Sequence, residues 1–420
     1  MLGLAVGDAL GRPVVFESPA RIVAQYGSVE GMLGGGTWDR PPGTVTDETT
    51  TALRVARSLV QQGQFDPSDV AARLVDWFAG DPFDVDATTA AAVGRLRDGE
   101  QWHQAGRLVF RHGAGAGGRR AGIARDGSVG RGRSTHGGET VPGETGGADS
   151  SFDDDSPFDD DSAFDDDSIF ARGSIFDDEP IFRGEAGALD GGSSGGRPTG
   201  GPSVDGAGTP RTRGRGNGAP AALGGGAAAS GAVPRAVPLA LAFREETYRL
   251  ASLARTVSRI THADPRSTAA AALVALVVAG YLCGVSAPLA RARRLVDAPP
   301  RLLTATAPLV GDVPAGPTVR PDTPVRRETA VATVCAALRH AMGAASPADA
   351  LLAAVNEGGN ADTVCAICGA VAGARFGASA FPERWLSAVE HAEELRALAD
   401  ALFDGAATRP PASLADRPSV

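Results

Sequence analysis

Thr46-Asp47-Glu48-Thr49 and Asn360-Ala361-Asp362-Thr363 each gather carboxylate, amide and hydroxyl oxygens where a loop feeds an Ala-rich apolar stretch. Such hard donors suit Mg²⁺, Mn²⁺ or Ca²⁺ rather than zinc or copper. Adjacent side chains on a helix diverge by about 100°, so three consecutive ligands cannot share one face of it. At a helix N-terminus, where the chain is still turning in from the loop, they can converge. Each run also reads as a cap, by Thr46 in the first and by Asp362 or Thr363 in the second, with acidic residues complementing the dipole. Two such clusters from distant parts of the chain point to one site closed by the fold. The chemistry it offers is metal-assisted, with a carboxylate acting as base.

Other residues bear on this site. The stretch Gly3 to Gly11 carries glycines that let helix backbones approach closely, and Glu17 follows it. In Thr261-His262-Ala263-Asp264-Pro265, His262 is a candidate for phosphate or ribose, with a purely structural role as the alternative. Asp264 caps the following helix, with Pro265 at its first position. Asn217-Gly218-Ala219 is either a binding element or a turn. The lone Cys365-x-x-Cys368 lies in an apolar helix without a second pair and does not make a zinc site.

The elements that must position these groups read as helices. Apolar residues recur at helical spacing over residues 49–62, 67–79, 88–96, 244–259, 267–282, 329–342, 347–355, 363–376 and 388–402. Alternating strand patterns are scarce, so the predicted fold class is all-α, a compact multi-helix domain around a large core. The apolar run from Thr268 to Val285 approaches membrane-spanning length, but its Ala-rich composition with Gly280 and Gly284 predicts a buried core helix.

From residue 112 to 215 Gly, Ser, Asp and Arg dominate and apolar periodicity vanishes. Such composition predicts a disordered insertion, because it buries too little surface to offset its ordering entropy. Within it Phe152, Phe158, Phe164, Phe170, Phe176 and Phe182 form a hexapeptide repeat separated mostly by Asp-Asp-Asp-Ser. That repeat is a solvated low-complexity tract or an acidic, aromatic interaction segment. The expected organisation is a discontinuous domain of residues 1–111 and 216–405 with a flexible tail at 406–420. The net charge of −10, without a basic stripe, argues against nucleic acid as a partner. Every basic side chain other than His is arginine. Four cysteines in apolar helical sequence and no visible signal peptide predict reduced thiols in a cytoplasmic protein, with no membrane partner. A monomer is expected.

In this order the motifs resemble the ADP-ribosylglycohydrolase family. Gly7–Gly11 followed by Glu17 resembles its Gly-Asp-Ala-Leu-Gly element and following Glu. Thr46-Asp47-Glu48-Thr49 resembles Thr-Asp-Asp-Thr, with Glu48 for the second Asp. Asp84-Val85-Asp86-Ala87-Thr88-Thr89 loosely matches Asp-Ile-Gly-x-Thr-Thr. Gly216–Ala219 with Val237-Pro238-Leu239 is similar to a Gly-Asn-Gly-Ala element leading to a Pro-Leu helix. Thr261–Pro265 matches closely, and Asn360–Thr363 resembles Asp-x-Asp-Thr with Asn360 at the first Asp.

The resemblance implies two Mg²⁺ ions, or Mn²⁺, held by Thr46, Asp47, Glu48, Asn360, Asp362 and Thr363. It implies catalytic roles for Glu17, Asp47 and Asp362, and substrate contacts by Asn217, Gly218 and His262. The implied reaction is hydrolysis of the glycosidic bond between ADP-ribose and a protein side chain or small acceptor. The partner is thus an ADP-ribosylated protein or an ADP-ribose-containing metabolite. Both departures touch implied ligands: Glu48 moves its oxygen farther from the backbone, and Asn360 loses a charge. They leave a catalytically weakened ADP-ribose-binding or crystallin-like member as the alternative.

Overall fold

A computed structural model describes residues 1–118, 228–310 and 329–405. The insertion beyond residue 118, the Asn217-Gly218 element and the tail at 406–420 lie outside the described residues.

The described residues form helices α1 (Leu2–Gly11), α2 (Pro19–Tyr26), α3 (Asp47–Gln62), α4 (Pro67–Ala79), α5 (Ala87–Arg97) and α6 (Trp102–Gly118). Then follow α7 (Val237–Ala242), α8 (Thr247–Arg259), α9 (Pro265–Leu282), α10 (Pro288–Leu295) and α11 (Pro300–Thr306). The last are α12 (Ala330–Gly343), α13 (Pro347–Val355), α14 (Ala361–Phe376), α15 (Glu383–Leu386) and α16 (Ala392–Phe403). Among the described residues the extended pairing is one isolated bridge, Gly35 with Arg40. The fold is all-α, as the periodicity predicts.

Local chemistry explains most boundaries. Asp66 accepts the N–H groups of Ser68 and Asp69 to start α4 behind Pro67, and Asp264 accepts that of Arg266 to start α9 behind Pro265. Gly63, left-handed at φ 66°, ends α3. Some boundaries differ from the periodic reading. α6 continues past residue 112, because helical hydrogen bonding propagates without an apolar face once nucleated. Helix α16 starts at Ala392, after the short α15 and a left-handed His391, rather than at 388.

Helix α14 begins at Ala361, not 363. Asp362 and Thr363 therefore stand in its first turn rather than capping it, and the N-cap is Asn360. Two left-handed glycines, Gly358 and Gly359, turn the chain into the helix early.

Helices α1 and α14 make the closest crossing. Gly3, Gly7 and Gly11 lie on one face of α1, and a Cβ on any of them would overlap the carbonyl of Gly369, Cys365 or Ala361. The glycine spacing thus sets two backbones in contact and carries Asp8 of α1 into the interior. α9 is the buried rod opposite. It is long and apolar enough to cross a membrane, and every residue from Ser267 to Ala279 is buried within this protein.

The loop between α2 and α3 is tied to α1 by Arg12. Its buried guanidinium donates to the carbonyls of Leu33, Gly35, Arg40, Pro41 and Thr44. A buried charge is tolerable only with such partners.

Candidate functional site

The site begins at Asp8, fully buried in an otherwise apolar helix. One carboxylate oxygen accepts the Thr46 hydroxyl at 2.7 Å. The other accepts the Thr46 N–H at 3.0 Å, the Thr49 N–H at 3.1 Å and the Thr49 hydroxyl at 2.5 Å. Asp8 therefore holds the first turn of α3, while Thr46 also caps it through the Glu48 N–H. The glycine-based reading of this stretch passed over Asp8. The available signal was a lone acid in an apolar helix, which must find donors if it is to be buried.

The first turn of α3 places Asp47 and Glu48 against the first turn of α14, where Asp362 and Thr363 are also buried. The Thr363 hydroxyl donates to Glu48 Oε1 at 2.5 Å, a direct link between the two distant motifs. Asp362 accepts the Thr363 N–H at 2.7 Å. Helix α5 brings two further acids that periodicity left as loop, Asp84 and Asp86. Asp86 caps α5 through one oxygen, which accepts the N–H groups of Thr88 and Thr89.

The electrostatics follow from burial and crowding. Burial pushes Asp47 well above the usual carboxylate range, and Asp86, Asp362 and Asp8 add to it. Burial, Asp47 and Asp362 do the same to Glu48. Asp84 is pushed up to about 10 by burial and then by Asp47, Asp362, Asp8 and Asp86. Asp86 moves the other way: burial works to raise it, but His262 and Thr89 hold it below the usual range.

The counter-charge within reach is Arg235, buried and bonded to Thr261, Thr89 and the Gly231 carbonyl. Arg235 acts on Asp86, Asp47 and Glu48.

The remaining predicted residues are placed as follows. His262 is buried, with Nδ1 2.8 Å from the Thr261 hydroxyl and Nε2 3.5 Å from Asp86, so it meets the site through Asp86. Asn360 donates to the Ser230 hydroxyl at 3.2 Å. Glu17 is half-buried and pairs with Arg21 at 2.7 Å. Its backbone still belongs to the site: Phe16 N–H donates to the Gly359 carbonyl, and Gly359 N–H to that of Glu17. Asn217 and Gly218 lie outside the described residues. Within the described residues, the small-residue element beside the acids is Ser230-Gly231, directly ahead of Pro234-Arg235. Two cavities of about 220 and 460 Å³ lie around Arg244 and contain none of these groups.

The donor set fits a hard divalent cation in its chemistry. It is all oxygen, its acids raise one another's affinity for protons, and the buried Glu48 Oε2 and Asp86 Oδ2 have no hydrogen-bond partner. Among the described residues no three His, Cys, Asp or Glu side chains are grouped so that they could hold a metal ion as they stand.

The family model for ADP-ribosylglycohydrolase matches residues 1–132 and 189–412. An ADP-ribosyl-[dinitrogen reductase] glycohydrolase of Rhodospirillum rubrum is 40% identical over 94 residues, 22% of this chain and 32% of that protein. ADP-ribosylarginine hydrolase Tri1 of Pseudomonas putida is 37% identical over 110 residues, 24% of this chain and 28% of that protein. The chain thus spans about a third, or less, of the length of the curated relatives it matches. A solved structure described as an ADP-ribosylglycohydrolase-related protein complex has the same fold, with a TM-score of 0.58 and 24% identity. The match covers 96% of this chain and 95% of that one.

Proposed function

The chain belongs to the ADP-ribosylglycohydrolase family, and from that we propose that it hydrolyses the glycosidic bond between ADP-ribose and a protein side chain or small acceptor. The observation that carries this reading is the Thr363 to Glu48 hydrogen bond, which joins the two acidic motifs into one buried site. The names of the relatives, an ADP-ribosyl-[dinitrogen reductase] glycohydrolase and an ADP-ribosylarginine hydrolase, supply the substrate kind.

We further propose dependence on Mg²⁺ or Mn²⁺, held by Thr46, Asp47, Glu48, Asp362 and Thr363, with Asn360 at the edge of the set. The cation would supply positive charge to hold ribose hydroxyls and to lower the pKa of the attacking water. The chain's own residues do the rest. Asp8 fixes the α3 turn so that Asp47 and Glu48 keep their places. Asp47 or Asp362, once ionised, accepts the proton of the attacking water. Arg235 moderates the repulsion among the acids. Glu17, whose backbone carbonyl accepts from Gly359, would meet the acceptor side of the substrate. The free, buried Cys365 and Cys368 support a reduced, cytoplasmic setting.

The test is release of ADP-ribose by purified protein, with Mg²⁺ or Mn²⁺, from ADP-ribosyl-arginine, ADP-ribosyl-serine and O-acetyl-ADP-ribose. Turnover of one or more is expected. No turnover of any, at micromolar enzyme, removes the hydrolase reading.

A further inference from the structure

Asp86 does more than cap α5. The cap uses Oδ1 alone: it accepts the N–H of Thr88 at 2.8 Å and of Thr89 at 3.0 Å, and faces His262 Nε2 at 3.5 Å. Oδ2 is buried with no hydrogen-bond partner. One oxygen suffices for a cap, and a buried carboxylate oxygen without a partner is costly.

A second group points the same way. Glu48 is 3% exposed; its Oε1 takes the Thr363 hydroxyl while Oε2 has no hydrogen-bond partner. With Asp84, whose Oδ2 is likewise buried without a hydrogen-bond partner, three acids of one cluster each keep an oxygen in reserve.

The backbone between Asp86 and Asn360 supplies the geometry. Asn360 Nδ2 donates to Ser230 Oγ at 3.2 Å. At the next residue, Gly231, a Cβ would stand 2.7 Å from Asp86 Oδ2. Asn360 and Asp86 thus meet adjacent residues of the Ser230-Gly231 segment. Arg235 holds the Gly231 carbonyl at 3.1 Å, which fixes this stretch of chain. Asn360 stands where the resembling motif has an acid, and Asp86 where the other motif has glycine. One carboxylate is missing and one is added, both next to the same two residues.

We propose that Asp86 is a cation ligand of this site, supplying through Oδ2 the negative oxygen that Asn360 lacks. His262 and the α5 N–H groups act as positioning groups that occupy Oδ1 and leave Oδ2 for the ion. The proposal rests on the metal-dependent reading above and is specific to residues of this chain.

The experiment is Mn²⁺ binding by the full chain, followed by electron paramagnetic resonance, with Mg²⁺ titrated by calorimetry. Asp86→Asn and Asp86→Ser both keep an oxygen for the cap, and melts in chelator confirm folding. Each is expected to weaken Mn²⁺ binding about tenfold or more. Adding Asn360→Asp to Asp86→Asn is expected to restore affinity to within about threefold of wild type, a coupling read as a double-mutant cycle. If either folded variant binds Mn²⁺ as wild type does, the proposal is overturned while the metal site stands. If wild type binds neither ion, the metal reading itself falls, and the proposal with it.

Discussion

Asp8 accepts both the backbone N–H of Thr46, at 3.0 Å, and its hydroxyl, at 2.7 Å. This single carboxylate couples α1 to the start of α3, and through Thr49 it also ties down the rest of that turn. Because α1 is itself locked to α14 by glycine contacts, Asp8 joins the two helix starts that carry the acidic motifs.

Replacing Asp8 therefore acts on the whole site. Asp8→Asn swaps one acceptor oxygen for a donor facing hydroxyl and N–H groups, and is expected to destabilise the protein by about 1–3 kcal/mol. Urea denaturation measures this, and an unchanged midpoint would show that the four bonds contribute nothing.

The same residue predicts a pH dependence in excess chelator. Burial raises Asp8 from 3.8 to about 6 in the folded protein. Between those values the folded state holds a proton that the unfolded state has lost, so stability falls as pH rises. The contribution is fully present below 3.8 and lost as pH passes about 6. Asp47, Glu48 and Asp84 shift in the same direction. Denaturation between pH 4 and 7 should show the decline, shallower in Asp8→Asn. A slope identical in wild type and variant would remove Asp8 as a source.

Asp47→Ala and Asp362→Ala each remove a buried acid from the joined motifs. Each is expected to lower cation-dependent turnover at least about a hundredfold. Full turnover by either variant in excess chelator would detach these residues, and the cation, from the reaction.

Gly7→Ala places a Cβ into the Cys365 carbonyl, whereas Gly94→Ala in α5 meets nothing within 4 Å. The first is expected to cost about 1–3 kcal/mol or more. The second should be neutral or stabilising by up to about 1 kcal/mol. Equal melting temperatures for the two would contradict the close α1–α14 crossing.

Asn360→Asp adds a carboxylate beside Asp362 and Glu48. Without cation, repulsion should lower the melting temperature; with Mn²⁺, the gain on binding should exceed that of wild type by about 2–4 °C, or roughly 1 kcal/mol. The gain should be larger in the Asp86→Asn background. A Mn²⁺-induced shift equal to that of wild type would place Asn360 outside the site.

Much of this was legible in the residues themselves. Helical periodicity and caps are interactions between neighbours a few positions apart, so α4 and α13 begin and end where their Asp66-Pro67 and Ser346-Pro347 starts predict. The same local reasoning determined the all-α class, and it singled out the runs at Thr46–Thr49 and Asn360–Thr363 as clusters of oxygen donors. What it could not determine was which side chains meet. Glu48 and Thr363 touch across 315 positions of sequence, and Asn360 reaches Ser230 across 130. Asp84, Asp86 and Arg235 join the cluster only because the chain ahead of α5 and the turn before α7 come near the start of α3. A carboxylate's role depends on its burial and on the charges that surround it, and both are products of packing rather than of neighbouring residue types. The alphabet of the site was local; its membership was decided by the tertiary fold.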